Sequence, residues 1–262
     1  MVETQPPQTA VRPPVGTLRK VLGWCVHAYT ASGIAIAGII VYLLAHGGPD
    51  AFRWSFLLMI LATIIDATDG TLARAVRIKE AVPGFDGRRL DDITDFLTYT
   101  FLPLMLVWRA DLVPHGSEAW LLAPLLASAY GFCQVDIKTP DGYFLGFPSL
   151  WNVVALYLYA LPIPPAAALA ILLFLAFLTF VPVKHLYPSM PGRLNRFATI
   201  TGAVWGVLLV WLVWSLPTDA VPEFSTTERA LAFVSLIYPI FYMAASWHVT
   251  LKAWTRPATT AA

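Results

Sequence analysis

The chain has 262 residues, of which 58% are hydrophobic and only 13% are charged, and its formal net charge is +1. Soluble domains contain about 25% charged residues, so this composition excludes an ordinary soluble enzyme and predicts an integral membrane protein. A net charge so close to zero gives no electrostatic reason to expect nucleic-acid binding. The two cysteines, Cys25 and Cys133, lie in different apolar segments and are expected to be buried, reduced thiols.

Eight apolar segments approach the length of about 20 residues that a helix needs to cross a bilayer. The predicted spans are residues 22–46, 52–76, 93–110, 117–135, 148–162, 164–183, 198–216 and 229–251. The sequence LPIPPA at 161–166 contains three prolines, which break the helix between the fifth and sixth spans. We therefore expect an all-α bundle of eight transmembrane helices. Residues 1–15 contain four prolines and little apolar surface, and are expected to form a disordered cytoplasmic tail.

The distribution of basic residues predicts the orientation of these spans, because cytoplasmic loops carry an excess of lysine and arginine. With the N-terminus in the cytoplasm, 14 of the 17 basic residues fall on the cytoplasmic side. The three exceptions are Arg53, Arg109 and Arg229. Both termini are therefore expected in the cytoplasm, and four aspartates at the ends of the second and third spans face the same side.

These four aspartates form two pairs with helical spacing. Asp66 and Asp69 close the second span, and Asp91 and Asp95 open the third. Positions three or four apart share one face of a helix, and a short loop joins the two spans, so we expect the four carboxylates to converge. Like charges brought together repel one another, and divalent cations with oxygen ligands relieve that repulsion. The pattern predicts a Mg²⁺ or Mn²⁺ site.

Small and basic residues follow the first pair. Gly70 and Ala73 leave a notch on the helix, and Arg74 supplies a planar guanidinium suited to phosphate. Thr30 in the first span is a further polar candidate for contact with a nucleotide or a phosphate. A metal site, an arginine and a notch at the membrane surface together indicate a pyrophosphate substrate with a lipid tail.

The arrangement of these residues resembles the signature of the CDP-alcohol phosphotransferases. The signature residues read Asp66-x-x-Asp69-Gly70-x-x-Ala73-Arg74, followed by Gly87-x-x-x-Asp91-x-x-x-Asp95. Residues 75–86 separate the two halves by twelve positions, more than is usual in the family. That spacing, and the stretch KTPDGYFLGFPSLWN at 138–152, are similar to the bacterial phosphatidylcholine synthase branch. The signature places the third aspartate at Asp91 and not at Asp92.

The resemblance implies an activity and a role for each motif residue. A member of this branch joins CDP-diacylglycerol to choline in the bacterial inner membrane and releases CMP. Two divalent ions would be bound by Asp66, Asp69, Asp91 and Asp95, and Asp95 would also act as general base, which makes Asp91 and Asp95 the catalytic candidates. Asp66, Asp69, Gly70, Ala73, Arg74 and Thr30 would contact the CDP group. The resemblance also implies a homodimer, and a division into a six-helix catalytic core at 16–197 and two additional helices at 198–262.

Choline and the lipid phosphates need partners outside the motif. A trimethylammonium group has no N–H donor and is held by aromatic faces, and the candidates near the cytoplasmic side are Tyr143, Trp151, Asn152 and Tyr187. Membrane proteins also place such aromatic residues at the lipid–water boundary, so an interfacial role is the alternative for this set. Lys184, Arg193 and Arg196 are candidates for lipid phosphate, and setting the membrane topology is their alternative role.

Two other functions compete with this interpretation. A sister enzyme would transfer the same phosphatidyl group to serine, inositol or glycerol phosphate, and the basic residues at 184–196 would suit a phosphorylated acceptor. A cation or proton transporter would also use membrane acids, but such sites lie near the middle of the bilayer between internal repeats. The aspartates of this chain cluster at one face, which favours the enzyme.

Overall fold

The computed structural model describes residues 16–48, 50–135, 137, 139, 142–186, 193–217 and 224–255. The predicted tail 1–15 and the choline candidate Tyr187 lie outside this part of the chain. Within it, eleven α-helices follow one another: α1 Thr17–His46, α2 Ala51–Ala75, α3 Ile78–Ala81, α4 Gly87–Asp95, α5 Leu102–Arg109, α6 Leu122–Cys133, α7 Trp151–Ala160, α8 Pro165–Leu178, α9 Arg193–Trp214, α10 Thr226–Ser235 and α11 Ile237–Trp254. A π-helical turn, Phe96–Phe101, joins α4 to α5, and a 3₁₀ turn, Glu118–Leu121, precedes α6.

The described part of the chain contains four helical segments that are long and apolar enough to cross a membrane. They are α1, α2, α9 and the stretch Thr226–Trp254 formed by α10 and α11. These four match the predicted spans 22–46, 52–76, 198–216 and 229–251. The helices Glu118–Cys133, Trp151–Ala160 and Pro165–Leu178 are apolar but shorter. Four of the eight predicted spans therefore correspond to helices long and apolar enough to cross a membrane. The other four spans, and the total of eight, stay predictions.

Among the described residues, a short β-ribbon departs from the all-α prediction. Strands β1 (Tyr143–Leu145) and β2 (Lys184–Leu186) pair in an antiparallel register that places Phe144 opposite His185. Both strands lie in connections between helices, where the backbone has no helical partners and must form its hydrogen bonds elsewhere. The ribbon therefore ties together two loops that are distant in the sequence.

The helix α11 completes the outer edge of this ribbon with a row of hydroxyl groups. The Thr250 hydroxyl accepts from the amide of Lys184 at 2.8 Å, and the Ser246 hydroxyl accepts from the amide of Leu186 at 3.2 Å. The Tyr242 hydroxyl donates to the Leu186 carbonyl at 2.8 Å. Residues 242, 246 and 250 follow one another at four-residue intervals, so one face of α11 satisfies an edge that would otherwise be open.

The core lies between α1, α2, α5, α7 and α8. Its largest fully buried side chains include Ile40, Phe56, Leu106, Trp151 and Leu172. Lipid is as apolar as these side chains, so helix association in a bilayer depends on close packing and hydrogen bonds more than on the hydrophobic effect. The many exposed large apolar side chains, such as Val207 at 72%, are the surface expected to face lipid.

The two cysteines belong to this exposed surface. Cys25 and Cys133 are both free, as predicted, but both are exposed and not buried. The prediction of burial was wrong because apolar sequence around a cysteine does not say which side of a helix faces the protein. A thiol is a small apolar group, and a lipid-facing position satisfies it as well as a core position does.

Close contact between α1 and the segment that begins α4 determines where the aspartates lie. A Cβ atom added at Gly87 would sit 2.6 Å from Cε1 of His27, and one added at Gly33 would collide with the Thr94 side chain. Likewise, a Cβ atom at Gly23 would lie 2.8 Å from the Val82 side chain. Absence of a side chain at these positions lets the backbones approach, as small residues do in other membrane helix pairs.

Candidate active site

Three of the four predicted aspartates meet at one point. Asp66 comes from the last turns of α2, whereas Asp91 and Asp95 lie one turn apart on α4. Each offers a carboxylate oxygen, and these three oxygens all lie within 4.8 Å of one another. All three residues are half-buried, so the cluster is partly screened from solvent yet remains reachable. The predicted convergence of the two helix ends is thus present in the structure.

The donor set of this cluster fits a hard divalent cation. Oxygen ligands of an octahedral Mg²⁺ lie about 2.1 Å from the ion, which places them about 3.0–4.2 Å from one another. The three carboxylate oxygens, within 4.8 Å of one another, need only a small inward adjustment to reach that spacing. Carboxylate oxygen suits Mg²⁺ and Mn²⁺ better than softer metals. The residues present therefore fit the ion that the sequence predicts.

Asp69 lies outside the three-acid cluster. It is 7% exposed, and its Oδ2 accepts a hydrogen bond of 2.7 Å from the hydroxyl of Thr30. The structure therefore links two residues that sequence analysis assigned separately to the CDP group. The roles of Asp69 in metal and CDP binding stay predictions.

A tyrosine that sequence analysis missed also contacts the cluster. The Tyr99 hydroxyl donates to Oδ2 of Asp66 at 2.8 Å. Tyr99 is 9% exposed and lies in the π-helical turn directly after Asp95. The available signal was its position four residues after Asp95, which places both on the same side of a continuous helix.

The notch predicted beside the first aspartate pair is partly covered by Arg74. Its Nη2 donates to the Thr71 hydroxyl at 2.9 Å. A Cβ atom at Gly70 would lie 3.4 Å from Nη1 of the same guanidinium, so the arginine extends over the glycine. Ala73 is half-buried beside it. Arg74 itself is exposed, and its contact with a phosphate stays a prediction.

The choline candidates are found in different environments. Trp151 is completely buried and donates from its indole nitrogen to the Ser128 hydroxyl at 2.7 Å, as a core residue does. The amide nitrogen of Asn152 donates to the Thr63 hydroxyl at 3.3 Å, which ties α7 to α2 one turn before Asp66. These contacts give both side chains structural roles; their contact with choline stays a prediction.

The ribbon presents a cation on an aromatic face. The ammonium of Lys184 lies 5.4 Å from the centre of the Tyr143 ring, a cation–π distance. The Tyr143 ring is thus able to hold a cation, although here its face is covered by the protein's own lysine. Arg193 and Arg196 are exposed in the first turn of α9, and their contact with lipid phosphate stays a prediction.

The neighbouring ribbon residue His185 is buried and stacks on Tyr242. Burial lowers the pKa of His185 to about 4, because the charged imidazolium is poorly solvated there. His185 is therefore neutral at physiological pH. It adds no positive charge to the basic residues around it.

Sequence comparisons identify the relatives of this chain, although no family model matches it. It is 40% identical to the phosphatidylcholine synthase of Pseudomonas aeruginosa over 199 residues, which are 76% of this chain and 80% of the relative. It is 32% identical to the phosphatidylcholine synthase of Borreliella burgdorferi over 238 residues, or 90% and 97% of the two chains. The phosphatidylcholine synthase of Legionella pneumophila is 35% identical over 248 residues, or 92% and 93%. These matches extend over three quarters or more of each chain and confirm the branch that the spacing of the motif and the stretch 138–152 indicated: the chain belongs to the phosphatidylcholine synthase family of phosphatidyltransferases.

Proposed function

We propose that this protein transfers the phosphatidyl group of CDP-diacylglycerol to choline, giving phosphatidylcholine and CMP, with the help of two divalent ions. The observation that carries the proposal is that carboxylate oxygens of Asp66, Asp91 and Asp95 all lie within 4.8 Å of one another. Membership of the phosphatidylcholine synthase family supports the lipid product. The substrates and the metal requirement are inferred from the motif and from the chemistry of its residues.

The reaction requires one bond to form and one to break at phosphorus. The choline oxygen attacks the phosphorus next to diacylglycerol, and the bond from that phosphorus to the CMP oxygen breaks. Asp95 accepts the proton of the choline hydroxyl, which makes the oxygen a better nucleophile. The divalent ions, when bound, neutralise the charge on the diphosphate and on the departing CMP. Precise placement of the two reactants supplies much of the remaining acceleration.

The other motif residues would hold the ions and the donor substrate. Asp66, Asp69, Asp91 and Asp95 would bind the ions, and the hydroxyl of Thr30 fixes the carboxylate of Asp69 by a hydrogen bond. Arg74 turns from Thr71 toward a phosphate oxygen, where its planar fork makes two hydrogen bonds. Gly70 and Ala73 leave room for the cytidine. The enzyme acts as a homodimer at the cytoplasmic face of the inner membrane, as the family resemblance implies.

Choline incorporation into lipid tests this function directly. Membranes containing the protein are given labelled choline, CDP-diacylglycerol and Mn²⁺ or Mg²⁺, and the label in the lipid fraction is measured. We expect incorporation only when the nucleotide and a divalent ion are both present, and loss of incorporation after chelation. Incorporation of serine, inositol or glycerol phosphate in place of choline would show that the assignment of choline as the acceptor is wrong.

Two adjacent aspartates provide a matched test of the metal cluster. Asp91 belongs to the three-acid cluster, whereas Asp92 is next to it in the sequence but does not belong to it. Asp91→Asn should reduce choline incorporation by at least about 100-fold, because a metal ligand is lost. Asp92→Asn makes the same chemical change and should retain most activity. Equal losses in the two variants would contradict the assignment.

A further inference from the structure

The hydrogen bond between Tyr99 and Asp66 joins the cluster to the segment that follows α4. The phenol oxygen and Oδ2 of Asp66 are 2.8 Å apart, and only 9% of Tyr99 is exposed. A carboxylate accepts hydrogen bonds and cannot donate them, so the tyrosine supplies the proton. This contact joins the π-helical turn to α2 and connects residues 33 positions apart.

Two residues of one continuous segment, Asp95 and Tyr99, lie beside Asp66, and a π-helical turn begins between them. Asp95 ends α4, and the turn Phe96–Phe101 begins at the next residue. Asp95 lies in the cluster with Asp66, and Tyr99 donates to Asp66 from the following turn. Isolated π-helical turns occur frequently at functional sites, where they redirect side chains. Here the end of α4 places the Asp95 carboxylate beside Asp66, and the π-helical turn supplies the hydrogen-bond donor Tyr99 to the same residue.

We propose that Tyr99 is a positioning residue for the divalent-ion site, an inference that rests on the proposed function. Its hydroxyl holds one oxygen of Asp66 and thereby fixes the plane of the carboxylate that Asp91 and Asp95 approach. A phenol carries no charge at neutral pH, so it orients Asp66 without cancelling the negative charge that attracts the ions. An arginine or lysine in this place would orient the carboxylate but compete with the metal.

The general behaviour of metal sites sets the size of the expected effect. Groups that hydrogen-bond a metal ligand fix its orientation, and their loss typically weakens metal affinity or activity by about 10–100-fold. We therefore expect Tyr99→Phe, which removes only the hydroxyl, to weaken Mn²⁺ binding by about 10-fold. The loss should be partly compensated by raising the Mn²⁺ concentration, since the ligands themselves remain.

The experiment measures Mn²⁺ binding independently of turnover. The full chain is purified in detergent, and free Mn²⁺ is followed by electron paramagnetic resonance during a titration, without either substrate. The shift in melting temperature that Mn²⁺ produces gives a second measure of the same binding. Choline incorporation is then recorded across the same range of Mn²⁺ concentrations.

Tyr157→Phe is the matched control. Tyr157 is 7% exposed, exchanges a hydrogen bond of 2.9 Å with Ser235 and accepts one of 3.0 Å from Trp205. The variant Tyr157→Phe therefore loses a buried phenol hydroxyl, as Tyr99→Phe does, but this hydroxyl binds α9 and α10 to the core and does not contact the acid cluster. This variant should melt at a lower temperature while its Mn²⁺ dissociation constant stays unchanged.

The possible results separate the two proposals. An unchanged Mn²⁺ dissociation constant in Tyr99→Phe, with binding by the unaltered protein, overturns the role of Tyr99 and leaves the proposed function standing. Absence of Mn²⁺ binding by the unaltered protein overturns the metal site and the role of Tyr99 together. If Tyr99→Phe does not accumulate, Tyr99→Met also lacks the donor and should likewise weaken Mn²⁺ binding by about 10-fold.

Discussion

Replacement of Gly87 by alanine tests how closely α4 must approach α1 for the acid cluster to form. The added Cβ atom would lie 2.6 Å from Cε1 and 3.1 Å from Nδ1 of His27. Carbon atoms in good contact are about 3.5–4.0 Å apart, so the two helices must separate by about 1 Å. His27 is 5% exposed and packs against Phe85, with the ring centres 4.4 Å apart, so it has little room to move away.

This separation should cost both stability and activity. Overpacking of a tight contact typically destabilises a protein by about 1–3 kcal/mol. Asp91 lies one turn after Gly87 on the same helix, so it moves with the displaced segment. A misplacement of about 1 Å in an active site can reduce the rate about 100-fold. We therefore expect Gly87→Ala to lower choline incorporation by about 10–100-fold.

A double-mutant cycle with His27 distinguishes crowding from other causes. If the collision causes the loss, His27→Ala should restore part of the activity of Gly87→Ala, and the two changes should be coupled by more than about 1 kcal/mol. Gly38→Ala is the control, because a Cβ atom at this position in α1 meets nothing within 4 Å. Full activity in Gly87→Ala, or strictly additive effects in the cycle, would refute the reasoning.

Three further predictions concern single side chains. Thr30→Val removes the hydroxyl that donates to Asp69. Because hydrogen bonds to charged groups contribute about 1.5–3 kcal/mol, kcat/KM for CDP-diacylglycerol should fall about 10–100-fold, as measured by choline incorporation at limiting CDP-diacylglycerol. Trp151→Phe removes the hydrogen bond from the indole to Ser128 and should lower the free energy of unfolding by about 1–3 kcal/mol, which is measured as a lower melting temperature. A large rise in the KM for choline would instead favour the predicted choline contact. The pKa of His185 is lowered by burial to about 4, below the ordinary value of about 6.5, so the unfolded chain binds a proton between these values and the folded protein does not. Stability should therefore fall by up to about 1.4 kcal/mol per pH unit as the pH drops from about 6.5 to 4, and the variant His185→Phe should lose this part of the dependence in melting curves recorded against pH.

The last helices have a function in the fold that the sequence did not predict. They were expected only as two additional spans after the catalytic core. In the structure α11 completes the edge of β2 through Ser246 and Thr250, and α10 reaches the core through the contact of Ser235 with Tyr157. Serine and threonine in an apolar helix give no sign of a distant partner, because they also bond to their own backbone.

The membrane character, the four long apolar helices and the aspartate pairs were predictable because each depends on neighbouring residues. Hydropathy over about 20 residues and a spacing of three or four positions are local properties of the chain. The meeting of Asp66 with Asp91 and Asp95 also followed, because a short connection brings the two helix ends together. What only the tertiary structure decided is which groups hold these acids: Thr30 holds Asp69 from 39 positions away, and Tyr99 holds Asp66 from 33. Such contacts depend on the rotation and separation of packed helices, which are set by the fit of many side chains at once and not by any one stretch of sequence.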